Sequence, residues 1–159
     1  MAIHLPQPKQ VKDLLGELLG RDVTLTPATP YAPGPDEPTS IALYVDDRLN
    51  IVAVIACDLK LSAAAAAAIG LVPPTGADAA VSAGLLTDTL AENLYEILNI
   101  AASVFNVEGA DHVRLHAVHP AGPTTDPQLR LRVLTLGRRE DLSVDIAGYG
   151  AGRLSIVLV

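Results

Sequence analysis

Glu96 and Asn99 stand three positions apart in the run TDTLAENLYEILNIAASVFN, from Thr87 to Asn106. At about 100° per residue, such a pair projects from one face of a helix roughly one turn apart. A carboxylate and a carboxamide are thereby held side by side on a rigid element. An ionised carboxylate only accepts hydrogen bonds, whereas a carboxamide both donates and accepts. An ordinary solvated helix face can carry the same two residues. Asn is nevertheless a mediocre helix former, because its amide competes for backbone hydrogen bonds, and its mid-helix position asks for a reason.

The element that must position this pair is the clearest in the chain. Leu90, Leu94, Ile97, Leu98, Ala101, Val104 and Phe105 gather on one broad apolar face, while Glu92, Glu96, Asn99 and Ser103 fall along the opposite side. The pattern predicts a helix lying on a core with a narrow polar stripe outward. Thr89, three residues before Glu92, gives the spacing of a capping box, with Leu86 as hydrophobic staple.

Upstream, Ile41 to Val45, an Asp46-Asp47-Arg48 turn and Asn50 to Cys57 predict a hairpin. The second run, NIVAVIAC, is nearly continuous in apolar residues, so both its faces should be covered and it should be a central strand. Adjacent carboxylates such as Asp46 and Asp47 are ordinary turn residues. Ser62 is placed to cap a helix from Ala63 to Ile69, whose alanines can press close against a neighbour. Gly70 ends it, and Pro73, Pro74, Gly76 and Asp78 predict a loop leading to the motif helix.

In this setting EILNIAAS, Glu-x-x-Asn followed by small residues, resembles the motif of the CheC/CheX family of chemotaxis phosphatases. The order of strand, small-residue helix, Pro/Gly/Asp connection and motif helix resembles that family too, over roughly Ile41 to Val118. The resemblance implies one α+β domain over residues 1–159, with a mostly antiparallel sheet and about three helices. It implies hydrolysis of the aspartyl phosphate of a CheY-like response regulator, which would supply the phosphoryl group, Mg²⁺ and a lysine; the chain would need no cofactor of its own. Asn99 would orient the attacking water and Glu96 would pair with the lysine, while Glu92 and Ser103 on the same stripe would meet the partner. A single motif is the CheX-like pattern, and Ser103 stands where family members often have Gly. The resemblance also implies a homodimer paired through its sheets. A non-catalytic binding module, related to the flagellar switch proteins of the same fold family, is the alternative; it would dock on a receiver or another switch component.

Composition bounds the rest. At 159 residues the chain is long enough for one domain with a real core. Half of it is hydrophobic, yet it has four Tyr, one Phe and no Trp, so the core must be aliphatic. A net charge of -7 argues against nucleic acid, whose affinity comes from Lys and Arg on phosphates, and disfavours an anionic membrane surface. The one cysteine, Cys57, in apolar company reads as a buried small hydrophobe. No secretory signal and no apolar run long enough for a membrane span are apparent, so a cytoplasmic location is expected.

Elsewhere, Val11, Leu14, Leu15 and Leu18 predict a short amphipathic helix between Pro8 and Gly20. Val23 to Thr26 reads as a strand. Five prolines between Pro27 and Pro38 exclude a paired interior strand or a helix and predict an extended surface connection over 27–39. Val113, Leu115 and Ala117 alternating with His112, Arg114 and His116 predict a strand with one polar face. Leu129, Leu131 and Val133 repeat that alternation, and Gly137 with Arg138 to Asp141 predicts a turn. Leu142 to Ile146 and Arg153 to Val159 complete the strands, with AGYGAG as a hairpin turn or bulge; no Lys-Ser/Thr follows it, so it is no phosphate loop. The histidines form no Cys/His cluster with zinc spacing.

Overall fold

Strand periodicity and its two-sided burial set the architecture. In the computed structural model, which describes residues 2–159, six strands form one antiparallel sheet. They are β1 (Val23–Pro27), β2 (Thr39–Val45), β3 (Ile51–Asp58), β4 (Arg114–His119), β5 (Arg139–Ile146) and β6 (Gly150–Leu158), in the order β1-β5-β6-β3-β2-β4. Successive side chains point to opposite faces. Ala42 and Tyr44 on β2 and Ala53, Ile55 and Cys57 on β3 therefore join the main core, while Ile41, Leu43, Val54 and Ala56 join a second, smaller one. Both faces of β3 are covered and it lies centrally, which is why its sequence is almost uninterruptedly apolar. The chain is thus a single α+β domain.

Helices α1 (Pro8–Leu19), α2 (Leu59–Ile69), α3 (Pro74–Ala83) and α4 (Asp88–Ala101) contribute to the main core, and α5 (Pro127–Val133) to the second. Where about three helices are expected from sequence, the described residues form five α-helices. Pro74, Gly76 and Asp78, read as part of a loop, lie in α3: Pro74 occupies its first turn, where no N–H is needed, and Gly84 closes it in the left-handed conformation at φ 78°. Residues 129–133, read as a strand, form α5. Asp126 accepts from the Gln128 N–H at 2.8 Å and Pro127 starts the turn. Leu129 and Val133, one helical turn apart, lie on the sheet, whereas Leu131 is 61% exposed. Five alternating residues cannot distinguish the two periods.

Two caps also differ from expectation. The α4 cap is Thr87, whose hydroxyl accepts from the Leu90 N–H at 3.2 Å, so Thr89 lies inside the helix. The α2 cap is Asp58, accepting from the Leu61 N–H at 2.8 Å. Ser62 is instead fully buried, donating to the Asp58 carbonyl at 2.7 Å and meeting the Ser40 hydroxyl at 2.8 Å. The alanines of α2 are buried throughout, Ala63 to Ala68, and the helix presses against the sheet and against α3 and α4 at once.

The Pro-rich segment is more than a surface connection. Tyr31 and Pro33 are buried, and Tyr31 sits with Val133 in the small core on the second face of the sheet. A buried ion pair fastens this layer: Arg139 Nε meets Asp141 at 2.8 Å, and Arg139 Nη1 donates to the carbonyls of Val133 and Thr135 at 2.9 and 2.8 Å. Asp141 also accepts from the Tyr31 N–H at 2.9 Å and from the Ser155 hydroxyl. Arg139 and Asp141, expected in a turn, thus belong to β5, with their side chains buried.

Candidate functional site on the outer face of α4

The placement of α4 follows from its inner face. Leu90, Leu94, Ile97, Leu98 and Ala101 are buried, as are Val104 and Phe105 just beyond. Burying a leucine contributes about 1.5–3 kcal/mol, so the rotation of the helix is fixed by several such contacts. Three polar anchors fix its position along the axis. At the start, the Leu86 N–H donates to the Ala121 carbonyl at 3.3 Å. In the middle, the Asn93 amide donates to the Ala66 carbonyl of α2 at 3.0 Å. Gly70 makes room for it, since a Cβ there would overlap the Asn93 amide.

The third anchor lies beside the candidate residues. The Ala102 N–H turns back to the Asn99 carbonyl, three residues away, and the helix tightens into a 3-10 turn over Ala102–Val104. The Leu98 carbonyl takes the hydroxyl of Tyr44 at 2.6 Å. Tyr44 is fully buried on β2, its ring tilted against Phe105 at 5.1 Å between centroids. The sheet itself therefore holds the backbone next to Asn99.

Glu92, Glu96, Asn99 and Ser103 are all exposed, along the one outward stripe that the periodicity predicts. Neither Glu96 nor Asn99 takes part in a side-chain hydrogen bond or ion pair among the described residues. A carboxylate and a carboxamide, roughly 5–6 Å apart at their Cβ atoms, are free to meet something outside the chain. Two neighbours on this face were not singled out from the sequence: Tyr95 and Ile100, 50% and 38% exposed. Their signal was available, since both are large apolar residues off the buried arc of the helical wheel.

The remaining candidates do not converge. His112 lies outside β4, with its Nδ1 3.4 Å from Asp47, both exposed. Asp46 accepts from the N–H groups of Arg48 and Asn50 at 2.9 and 3.0 Å, the job of a turn carboxylate. Among the described residues, no group of three or more His, Cys, Asp or Glu is placed to hold a metal ion. Burial, with Asp58 beside it, pushes the Cys57 thiol up to about 12, so it stays an inert apolar group. A wholly apolar cavity of about 40 Å³ lies behind α4, between it, α1 and the sheet, and offers no polar group to a reaction. No helix is long and apolar enough to cross a membrane among the described residues.

No protein-family model and no curated protein matches this sequence. Solved structures do share its fold. FliM in the FliM–SpeE complex from H. pylori superposes at a TM-score of 0.61 with 10% identity, over 93% of this chain and 79% of that one. FliY of Thermotoga maritima superposes at 0.53 with 14% identity, over 98% and 93% of the two chains. The CheX–CheY–BeF3–Mg²⁺ complex from Borrelia burgdorferi matches at 0.53 with 11% identity, over 92% and 90%. The likeness to CheX seen in the motif and element order thus extends to the fold of nearly the whole chain, a fold also shared with FliM and FliY.

Proposed function

We propose that the outer face of α4 hydrolyses the aspartyl phosphate of a CheY-like response regulator. The observation that carries this reading is the state of Glu96 and Asn99: they are exposed side by side on a helix whose backbone is fixed from beneath, and among the described residues neither is hydrogen-bonded through its side chain. Support comes from the fold shared with CheX, which in the Borrelia burgdorferi complex is bound to CheY with BeF3 and Mg²⁺.

The chemistry asks little of the chain itself. A water molecule attacks phosphorus in line with the aspartyl oxygen; the new P–O bond forms as the bond to the aspartate breaks. Inorganic phosphate leaves with the water's proton, and the aspartate returns to its carboxylate. Asn99 holds the water by donating and accepting at once, which is positioning rather than proton abstraction. Glu96 pairs with the receiver's lysine, and Glu92 and Ser103 border the contact. Mg²⁺ is carried by the receiver, where it spreads the charge on the phosphoryl oxygens. Such an enzyme would act where receivers are found, in the cytoplasm, and could pair with a second copy through β4, an edge strand of the sheet.

A second reading is a docking module without catalysis, favoured by the higher TM-score with FliM, 0.61 against 0.53 for CheX. The test is the decay of CheY-like receivers from the same genome, phosphorylated with acetyl phosphate and Mg²⁺, alone and with wild-type or Asn99→Ala protein. Acceleration lost in Asn99→Ala supports the phosphatase. Binding without acceleration supports the docking module instead.

A further inference from the structure

The outer face of α4 is not uniformly polar. Measured around the helix from Glu92, Asn99 and Ser103 fall within about 20° and Glu96 at about 40°, while Tyr95 lies roughly 60° to one side and Ile100 roughly 80° to the other. Two exposed apolar side chains, 50% and 38% accessible, therefore straddle the Glu96–Asn99 stripe. A single exposed apolar residue needs no explanation. A tyrosine and an isoleucine flanking an unengaged carboxylate and carboxamide have the anatomy of a protein contact, where aromatic and aliphatic anchors exclude water around a few polar groups.

Charge identifies what this face can meet. Between Lys60 and Arg114 the sequence contains no lysine or arginine, yet it holds Asp78, Asp88, Glu92, Glu96, Glu108 and Asp111. That third of the chain supplies nearly all of α2 and the whole of α3 and α4. Its six carboxylates carry almost the entire net charge of -7, and all eleven basic residues lie elsewhere in the sequence. An acidic partner face would be repelled, and a basic one attracted.

We propose that Tyr95 and Ile100 are the anchor residues of the partner interface, and that the receiver surface they meet is apolar and ringed by lysine or arginine beside its phosphoaspartate. This rests on the reading of α4 as the receiver-facing helix, and it adds what selects the receiver: an apolar contact on each side of the reacting group and positive charge around it. Asn99 acts on the phosphoryl group and Glu96 on the receiver's lysine; Tyr95 and Ile100 add the apolar part of the affinity.

The test uses the full chain with CheY-like receivers of the same genome, activated with BeF3 and Mg²⁺ for binding and with acetyl phosphate for turnover. Tyr95→Ser and Ile100→Ser, both at half-exposed positions, should stay folded and melt within a few degrees of the wild type while each weakens binding about tenfold, with the loss falling on KM rather than kcat. Wild-type affinity should fall as salt rises from about 50 to about 300 mM, and Glu92→Lys should weaken binding at low salt. Dephosphorylation that needs Asn99 but is indifferent to Tyr95, Ile100 and salt would overturn this interface and leave the phosphatase reading standing. Binding that depends on Tyr95 without phosphate release would support the interface and overturn the phosphatase. Absence of binding to every receiver would overturn both.

Discussion

The hydroxyl of Tyr44 donates to the carbonyl of Leu98 at 2.6 Å, joining a fully buried side chain of the sheet to the helix backbone immediately before Asn99. The bond falls where α4 changes from α to 3-10 winding. Tyr44→Phe keeps the ring packed on Phe105 but strips the buried carbonyl of its donor, at a cost of about 1–3 kcal/mol. For a chain of this length that is roughly 2–4 °C in Tm per kcal/mol. If the geometry around Asn99 depends on this anchor, receiver dephosphorylation should lose kcat as well; calorimetry and phosphate release on one protein preparation read both effects.

Glu96 and Asn99 should fail differently. Asn99→Ala removes the group that orients water and should abolish the acceleration even at saturating receiver. Glu96→Ala removes a charge partner for the receiver's lysine and should weaken binding by about 1–3 kcal/mol, recoverable in part at high receiver concentration. Neither change should lower Tm appreciably, because both side chains are exposed and unengaged. A Tm loss as large as that of Tyr44→Phe in either variant would mean the residue is structural.

Gly152 sets how closely β6 approaches the start of α2. A Cβ at this position would lie 2.5 Å from both the Asp58 carboxylate and the Leu61 nitrogen, the two partners of the α2 cap. Gly152→Ala should therefore cost about 2–4 kcal/mol, the sum of crowding and a weakened cap. Asp58→Ala, which loses the cap without crowding, should cost about 1 kcal/mol. Equal losses in urea unfolding of the two variants would rule out the steric account.

Arg139 and Asp141 govern the acid limit of the second core. Burial pushes the Asp141 carboxyl up, but hydrogen bonds from Arg139, Ser155 and the Tyr31 N–H, with the charge of Arg139, outweigh it and hold the pKa below its ordinary value of 3.8. A carboxylate with a depressed folded pKa contributes stability that is present above the unfolded pKa and lost as pH falls through the folded one. The wild type should therefore lose this contribution below about pH 4. Asp141→Asn should lose about 3–5 kcal/mol at neutral pH, because Arg139 is left buried without its counter-charge, and should show a flatter acid limb. Urea unfolding at a series of pH values measures both.

The features set by local periodicity were legible in the sequence. The buried arc of α4, the exposure of Glu96 and Asn99, the two-sided burial of β3 and the Asp46 turn all follow from which side chains repeat at 3.6 or 2 residues, and those repeats are properties of the chain itself. The α+β class and the antiparallel sheet followed from the same patterns taken with the resemblance to CheC/CheX.

Other features depended on what each segment meets. Leu129 to Val133 alternates like a strand, yet it is a helix because only Leu129 and Val133 find the sheet and Asp126 caps the turn. The choice of Thr87 over Thr89 as the cap rests on where α4 enters its packing against α2 and the sheet. Strand order, the burial of Tyr31 under the prolines, and the pairing of Arg139 with Asp141 in β5 join residues far apart in sequence or hide charges in the interior. Which faces are apolar and which polar side chains point outward is written in the order of residues along the chain. What those faces pack against is settled only when the elements come together, because burial free energy depends on the partner surface, and a one-dimensional pattern does not contain the partner.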